Sequence, residues 1–64
     1  MIHRLALFDD EYLVVHAVEI MLRKMESSWE LVASGTDGNT ALRLIEKEKP
    51  QAVLIDIRMP GLDG

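Results

Sequence analysis

The sequence predicts an α/β domain built on a parallel sheet, in the order β-α-β-α-β. Three observations carry that expectation. Two short apolar runs, at residues 2–8 and 51–55, each stop abruptly at an aspartate. Two segments carry apolar residues at helical spacing. The strand-like and helix-like segments alternate strictly, which implies parallel pairing through right-handed crossovers.

The first run, residues 2–8, ends at Asp9-Asp10-Glu11, and an apolar run of that length between polar residues suits a buried strand. Residues 12–25 follow, with Val14, Val18, Met21, Leu22 and Met25 forming one apolar stripe along a helix. Asp9, Asp10 and Glu11 precede or open its first turn, and Arg23 and Lys24 close its last, as the helix dipole favours. Ser27-Ser28 breaks the pattern, and residues 29–34 read as a second strand. Gly35-Thr36-Asp37-Gly38 is turn chemistry, with Asp37 placed to cap a second helix. That helix carries Ala41, Leu42, Leu44 and Ile45 on its apolar side. It runs into Glu46-Lys47-Glu48-Lys49 and is ended by Pro50. Residues 51–55 form the third strand, so uniformly apolar that burial on both faces is expected. Beyond Asp56, the Pro60-Gly61 pair suits the two central positions of a type II turn, and Asp63 would cap a helix to follow.

The chain is 64 residues long, 48% hydrophobic and 28% charged, a composition that folds rather than staying disordered. It has no cysteine, which excludes disulfides, thiolate metal sites and a cysteine nucleophile. Seven Lys plus Arg against eleven Asp plus Glu leave a net charge of −4, and that balance argues against nucleic-acid binding by this segment. No apolar run approaches the ~20 residues that span a bilayer. The most apolar strand comes last with nothing after it to pair its outer edge, so residues 1–64 are expected to be the front part of a larger α/β domain. A segment of this size buries only about 60% of its unfolded surface. By itself it is expected to form a homodimer, swap with a second copy, aggregate, or remain partly molten.

Asp9, Asp10 and Asp56 stand where apolar strands end. If the first strand is central, strand order reverses between strands one and three, and ligands of open α/β sheets bind at that reversal. The three carboxylates then share one crevice. A like-charge pair at 4 Å costs roughly 4 kcal/mol at an effective dielectric near 20, a strain relieved by a proton or a cation. An all-oxygen set without His or Cys suits Mg²⁺, and a neutralised Asp beside a phosphoryl group can serve as its acceptor. The plainer alternative is that Asp9 and Asp10 only complement the first helix dipole and Asp56 only ends a strand.

Phe8-Asp9-Asp10-Glu11, followed after an apolar strand by Asp56-Ile57-Arg58-Met59-Pro60-Gly61-Leu62-Asp63-Gly64, strongly resembles the receiver domain of two-component response regulators. The stretch from Ala41 to Pro50 is also similar. The resemblance covers essentially the whole chain. It implies a flavodoxin-like, doubly wound parallel sheet with strand order 2-1-3-4-5 and five helices, of which this chain supplies three strands and two helices. It implies that Asp56 is the phosphoacceptor, that Asp10 ligates Mg²⁺ directly and Asp9 through water, and that the Arg58 main-chain carbonyl completes the protein ligands around Asp56. The Arg58 side chain is implied to affect how fast the phosphoryl group is lost. It further implies a histidine kinase as partner, a cytoplasmic location, stoichiometric rather than enzymatic chemistry, and a DNA-binding output domain lying beyond Gly64. The family's phosphoryl-binding hydroxyl and lysine, and its switching aromatic, lie on later strands and match no residue here.

Two alternatives follow from the same residues. One is a truncated or degenerate receiver that docks or swaps without phosphotransfer. The other is a carboxylate phosphatase, which needs an Asp-x-Asp pair on the first strand and so is poorly matched by adjacent Asp9-Asp10. His3 and His16 have no second ligand at useful spacing. Met21 and Met25 read as apolar filler, and the four glycines do not form a phosphate-cradling loop.

Overall fold

In the computed structural model, which describes residues 2–26, 28–56 and 58–61, β1 (His3–Phe8) runs between two parallel neighbours. The other elements are α1 (Tyr12–Lys24), β2 (Trp29–Gly35), α2 (Gly38–Glu48) and β3 (Ala52–Ile55), and the sheet order is β2-β1-β3. The β-α-β-α-β order, the parallel pairing and the central first strand are therefore as the sequence predicts. The Asp63 cap lies outside the described residues.

The chain steps from β1 to β2 on one side, then returns past β1 to β3 on the other. Right-handed crossovers in opposite directions place α1 and α2 on opposite faces of the sheet. β1 serves both faces, because alternate side chains point to opposite sides. Ala6 and Phe8 are fully buried and join Ala41 and Met59, with Ala33, Leu44 and Ile45 packed around them. This is the α2 face. Leu5 and Leu7, also buried, point the other way, towards α1 and its buried Val15. Pairing with β2 shifts between Leu5 and Ala6, leaving Val32 as the extra residue of a bulge.

Three expectations about burial are corrected. Leu42, expected on the apolar side of α2, is 64% exposed. α1 turns Val15 inwards with Val18 and Leu22 half-buried, while Val14, Met21 and Met25 are exposed at 37%, 54% and 66%. Nearly every position of α1 from Leu13 to Leu22 is apolar or small except His16 and Glu19, so its stripe is too broad for spacing alone to fix which line faces the sheet. β3, expected to be buried on both faces, leaves Val53, Leu54 and Ile55 exposed. Among the described residues it pairs only with β1, and its other edge has no neighbouring strand.

The ends of α2 are closed by local chemistry. Asp37 caps it, its carboxylate accepting from the Thr40 N–H at 2.7 Å. At the other end Lys49 adopts a left-handed conformation and its N–H donates to the Ile45 carbonyl at 2.9 Å, just before Pro50. The Arg4 guanidinium donates to the Glu48 carbonyl at 2.6 Å and to its carboxylate at 2.9 Å, tying this end to β1. α1 begins differently. Glu11 is its N-cap residue but makes no side-chain cap, and no acidic residue lies within its first turn. Gly61 has φ +90°, close to the positive value that the third position of a type II turn adopts, and Leu62, which would close that turn, lies outside the described residues.

Ala41→Leu should lower stability by about 1–3 kcal/mol, since the added volume has no room against Phe8 and Met59. Leu42→Ala on the exposed side of the same helix should change it by less than about 0.5 kcal/mol. Urea midpoints of the two variants measure the contrast. The Thr40 N–H, then the Thr40 side chain, hold the Asp37 carboxyl below its ordinary pKa. Its capping contribution is therefore complete above the ordinary carboxylate value and is lost as pH falls through the depressed one. Asp37→Ala should accordingly destabilise at neutral pH, with the difference from wild type narrowing in acid.

Candidate functional site

β1 and β3 are parallel neighbours in register, with Phe8 opposite Ile55. The next residue of each strand, Asp9 and Asp56, therefore leaves the sheet at the same edge. Backbone bonds carry the pairing to these residues: the Asp56 N–H donates to the Phe8 carbonyl at 2.9 Å and the Asp9 N–H to the Gly35 carbonyl at 3.1 Å. Each aspartate is then oriented by the residue two positions on. The Glu11 N–H donates to Asp9 Oδ1 at 2.9 Å, and the Arg58 N–H to Asp56 Oδ1 at 2.9 Å. The Met59 N–H donates to the Asp56 carbonyl at 3.1 Å and closes the turn that follows β3.

Asp9, Asp10 and Asp56 each bring one carboxylate oxygen to within 4.8 Å of the others. Asp9 and Asp56 are half-buried and Asp10 is exposed. Together with Glu11, Val14 and Arg58 they line an open cleft at the carboxyl edge of the sheet. Loss of water around the Asp10 carboxyl pushes its pKa above the ordinary carboxylate value, and a hydrogen bond with Asp9 and the charge of Asp56 push it the same way. The Arg58 guanidinium reaches Asp56 Oδ1 only at 3.9 Å and is itself 88% exposed, so it relieves little of that repulsion. Three clustered oxygen donors with no nitrogen or sulfur ligand among them fit a hard divalent cation, Mg²⁺ in particular.

The sequence-predicted aspartates are thus brought together, and Arg58 lines the same cleft. His3 packs its ring against Trp29 at 4.9 Å and His16 stacks on Tyr12 at 6.1 Å, and neither lines the cleft. Sequence reasoning missed Glu11 and Val14 as cleft residues, although Glu11 stands in the same acidic run. It also missed the contact between the Pro60 carbonyl and the Gly38 N–H at 2.6 Å, which no local pattern announces because one residue lies in the turn after β3 and the other opens α2.

Residues 5–64 match the family model of the response regulator receiver domain. The chain belongs to that family. It is 43% identical over 58 residues to an uncharacterized response regulatory protein of Vibrio cholerae, an alignment covering 91% of this chain and 22% of that protein. It is 39% identical over 61 residues to the transcriptional regulatory protein DegU of Brevibacillus brevis, covering 95% of this chain and 25% of the relative. The positive alginate biosynthesis regulatory protein of Pseudomonas aeruginosa is 43% identical over 56 residues, covering 88% and 23%. The chain spans about a quarter of the length of these curated relatives. Receiver domains in general bind Mg²⁺, and the acidic cluster of this receiver chain has the matching chemistry. No helix among the described residues is long and apolar enough to cross a membrane.

A raised carboxyl pKa means that ionising Asp10 costs the folded state stability. The cost grows as pH rises from the ordinary carboxylate pKa through the raised one, and is complete above it. Asp10→Asn should therefore be more stable than wild type at neutral pH in a chelator, with the gain vanishing in acid. Added Mg²⁺ should reverse the order, because it stabilises the wild type by mass action and the variant much less. Thermal midpoints with chelator and with Mg²⁺ check both signs.

Proposed function

We propose that residues 1–64 form the N-terminal part of one receiver domain, and that Asp56 accepts a phosphoryl group from a histidine kinase. The observation that carries this reading is the convergence of Asp9, Asp10 and Asp56 within 4.8 Å at the ends of adjacent parallel strands. Asp9, Asp10, Asp56 and the Arg58 main-chain carbonyl would hold Mg²⁺. When bound, the cation supplies the positive charge that lets a carboxylate meet a phosphoryl group without prohibitive repulsion.

The rest of the chemistry belongs to the side chains. The Arg58 N–H, bonded to Asp56 Oδ1 at 2.9 Å, holds the Asp56 carboxylate in one orientation at the cleft. An Asp56 oxygen attacks the phosphorus of a phosphohistidine. The new O–P bond forms as the N–P bond breaks, and the electron pair stays on the imidazole nitrogen, which takes a proton. Asp9 and Asp10 serve as cation ligands rather than acceptors. The exposed Arg58 guanidinium borders the same cleft and is placed to attract phosphoryl oxygens.

In this reading the reaction is stoichiometric, the protein is cytoplasmic, and the phosphoryl-binding hydroxyl and lysine belong to a later part of the same domain. A DNA-binding output domain is proposed from relatives whose names describe transcriptional regulatory proteins. A second reading, a docking or domain-swapped module, is favoured by the bare apolar edge of β3 at Val53, Leu54 and Ile55.

The test is the intact mass of the full natural chain before and after a small phosphodonor with Mg²⁺, with Asp56→Asn alongside. Gain of one phosphoryl group by the wild type and none by the variant is expected. Equal labelling of both would move the acceptor elsewhere. No labelling of either, with partner binding unchanged by Asp56→Asn, would favour the docking module.

A further inference from the structure

The turn after Asp56 is held from a direction that the carboxylate cluster does not explain. Met59 is 2% exposed, plugged among Ala6, Phe8 and Ala41 on the α2 face of the sheet, although the turn residues on either side of it, Arg58 and Pro60, are exposed. The next residue, Pro60, accepts a hydrogen bond from the Gly38 N–H at 2.6 Å. Gly38 is the first residue of α2, and the first N–H groups of a helix have no partner inside it. Asp37 satisfies that of Thr40, which leaves the Gly38 N–H to point outwards and hold the turn. Gly61 completes the fit. Its φ is +90°, and a Cβ there would lie 3.1 Å from the Gly38 nitrogen, closer than ordinary packing permits.

These contacts act on a segment only a few residues from Asp56. Arg58 is bonded through its N–H to Asp56 and is followed directly by the buried Met59. With one side tied to the acceptor and the other sunk in the α2 core, the Arg58 peptide has little freedom. We propose that Met59, with the Gly38–Pro60 hydrogen bond and the Gly61 turn, is a positioning latch that sets the Arg58 main-chain carbonyl, making the first turn of α2 part of the support for cation binding. This rests on the reading that the three aspartates and the Arg58 carbonyl hold Mg²⁺. Met59 touches neither cation nor phosphoryl group. It acts through Arg58.

The experiment is Mg²⁺ titration by calorimetry on the full natural chain, comparing wild type with Met59→Ala, Met59→Leu, Gly61→Ala, Leu5→Ala and Asp10→Asn. Met59→Ala and Gly61→Ala are expected to weaken Mg²⁺ binding at least fivefold. Met59→Leu, which keeps the volume, should stay within twofold of wild type. Leu5→Ala empties a comparable buried site on the opposite face and serves as the control for stability alone, so it too should stay within twofold. Unchanged affinity in Met59→Ala and Gly61→Ala overturns the latch, as does an equal loss in Leu5→Ala. If Asp10→Asn abolishes binding while the latch variants do not weaken it, the cation reading stands and the latch falls. A wild type that binds no Mg²⁺ overturns both.

A second measurement needs no variant. Coupling is reciprocal, so saturating Mg²⁺ should slow amide hydrogen exchange at Gly38 several-fold, although Gly38 is not a ligand. Exchange unchanged by Mg²⁺ at that amide overturns the proposal even where a variant fails to fold.

Discussion

The acidic edge exists because β1 lies between β2 and β3 and runs parallel to both. Parallel strands end on the same side, so residues far apart in sequence leave the sheet together. With Phe8 opposite Ile55, a shift of one residue in the β1–β3 register would flip the facing side chains and offset Asp9 from Asp56. What fixes the register is the burial of β1 on both faces. Leu5 and Leu7 are required by one helix, Ala6 and Phe8 by the other. Hydrophobic packing therefore decides where the charges meet, and the charges contribute nothing favourable to the meeting until something neutralises them.

That division explains why the edge is bound so tightly by main-chain contacts. Asp9 and Asp56 are each anchored by their own N–H on a neighbouring strand's carbonyl, and each carboxylate is turned by an N–H two residues later. Such bonds do not depend on the ionisation of a side chain elsewhere. Arg58, the nearby cation, stays largely in solvent instead of closing on Asp56. A tight Arg58–Asp56 pair would have occupied the very carboxylate that the proposed chemistry needs. An exposed guanidinium leaves it open to the cleft.

Much of this was legible in the sequence because it rests on local signals. Asp37 in the Gly35-Thr36-Asp37-Gly38 turn predicts the α2 cap, and Pro50 predicts its end, since both depend on residues within one turn. The three aspartates were legible for another reason: alternating strands and helices leave few topologies, and the likeliest central strand brings them together. What the sequence concealed depends on rotation or on distant surfaces. α1 is apolar around so much of its circumference that spacing alone could not choose the Val15 line over the Val14 line. Met59 looks like one more residue of a turn, and only the packed sheet shows that it belongs to the core on the α2 face. The apolar run of β3 reads as buried, yet it has no covering element among the described residues, so its composition describes an environment beyond these contacts.

Asp37 and Gly38 show how one helix start can serve stability and site geometry together. Had the side chain of Asp37 taken the Gly38 N–H instead, α2 would still be capped, but the outward N–H that meets Pro60 would be lost. By reaching Thr40, Asp37 closes the helix further in and leaves the first N–H to the neighbouring loop. That loop then gains an anchor at its far end to match the one Asp56 gives it at the near end. Between the two anchors lies the peptide of Arg58. A chain can hold a set of mutually repelling ligands only if the surrounding structure resists their separation. Here the resistance comes from a helix that carries no ligand, through a methionine in its core and the N–H group its own hydrogen bonding leaves over.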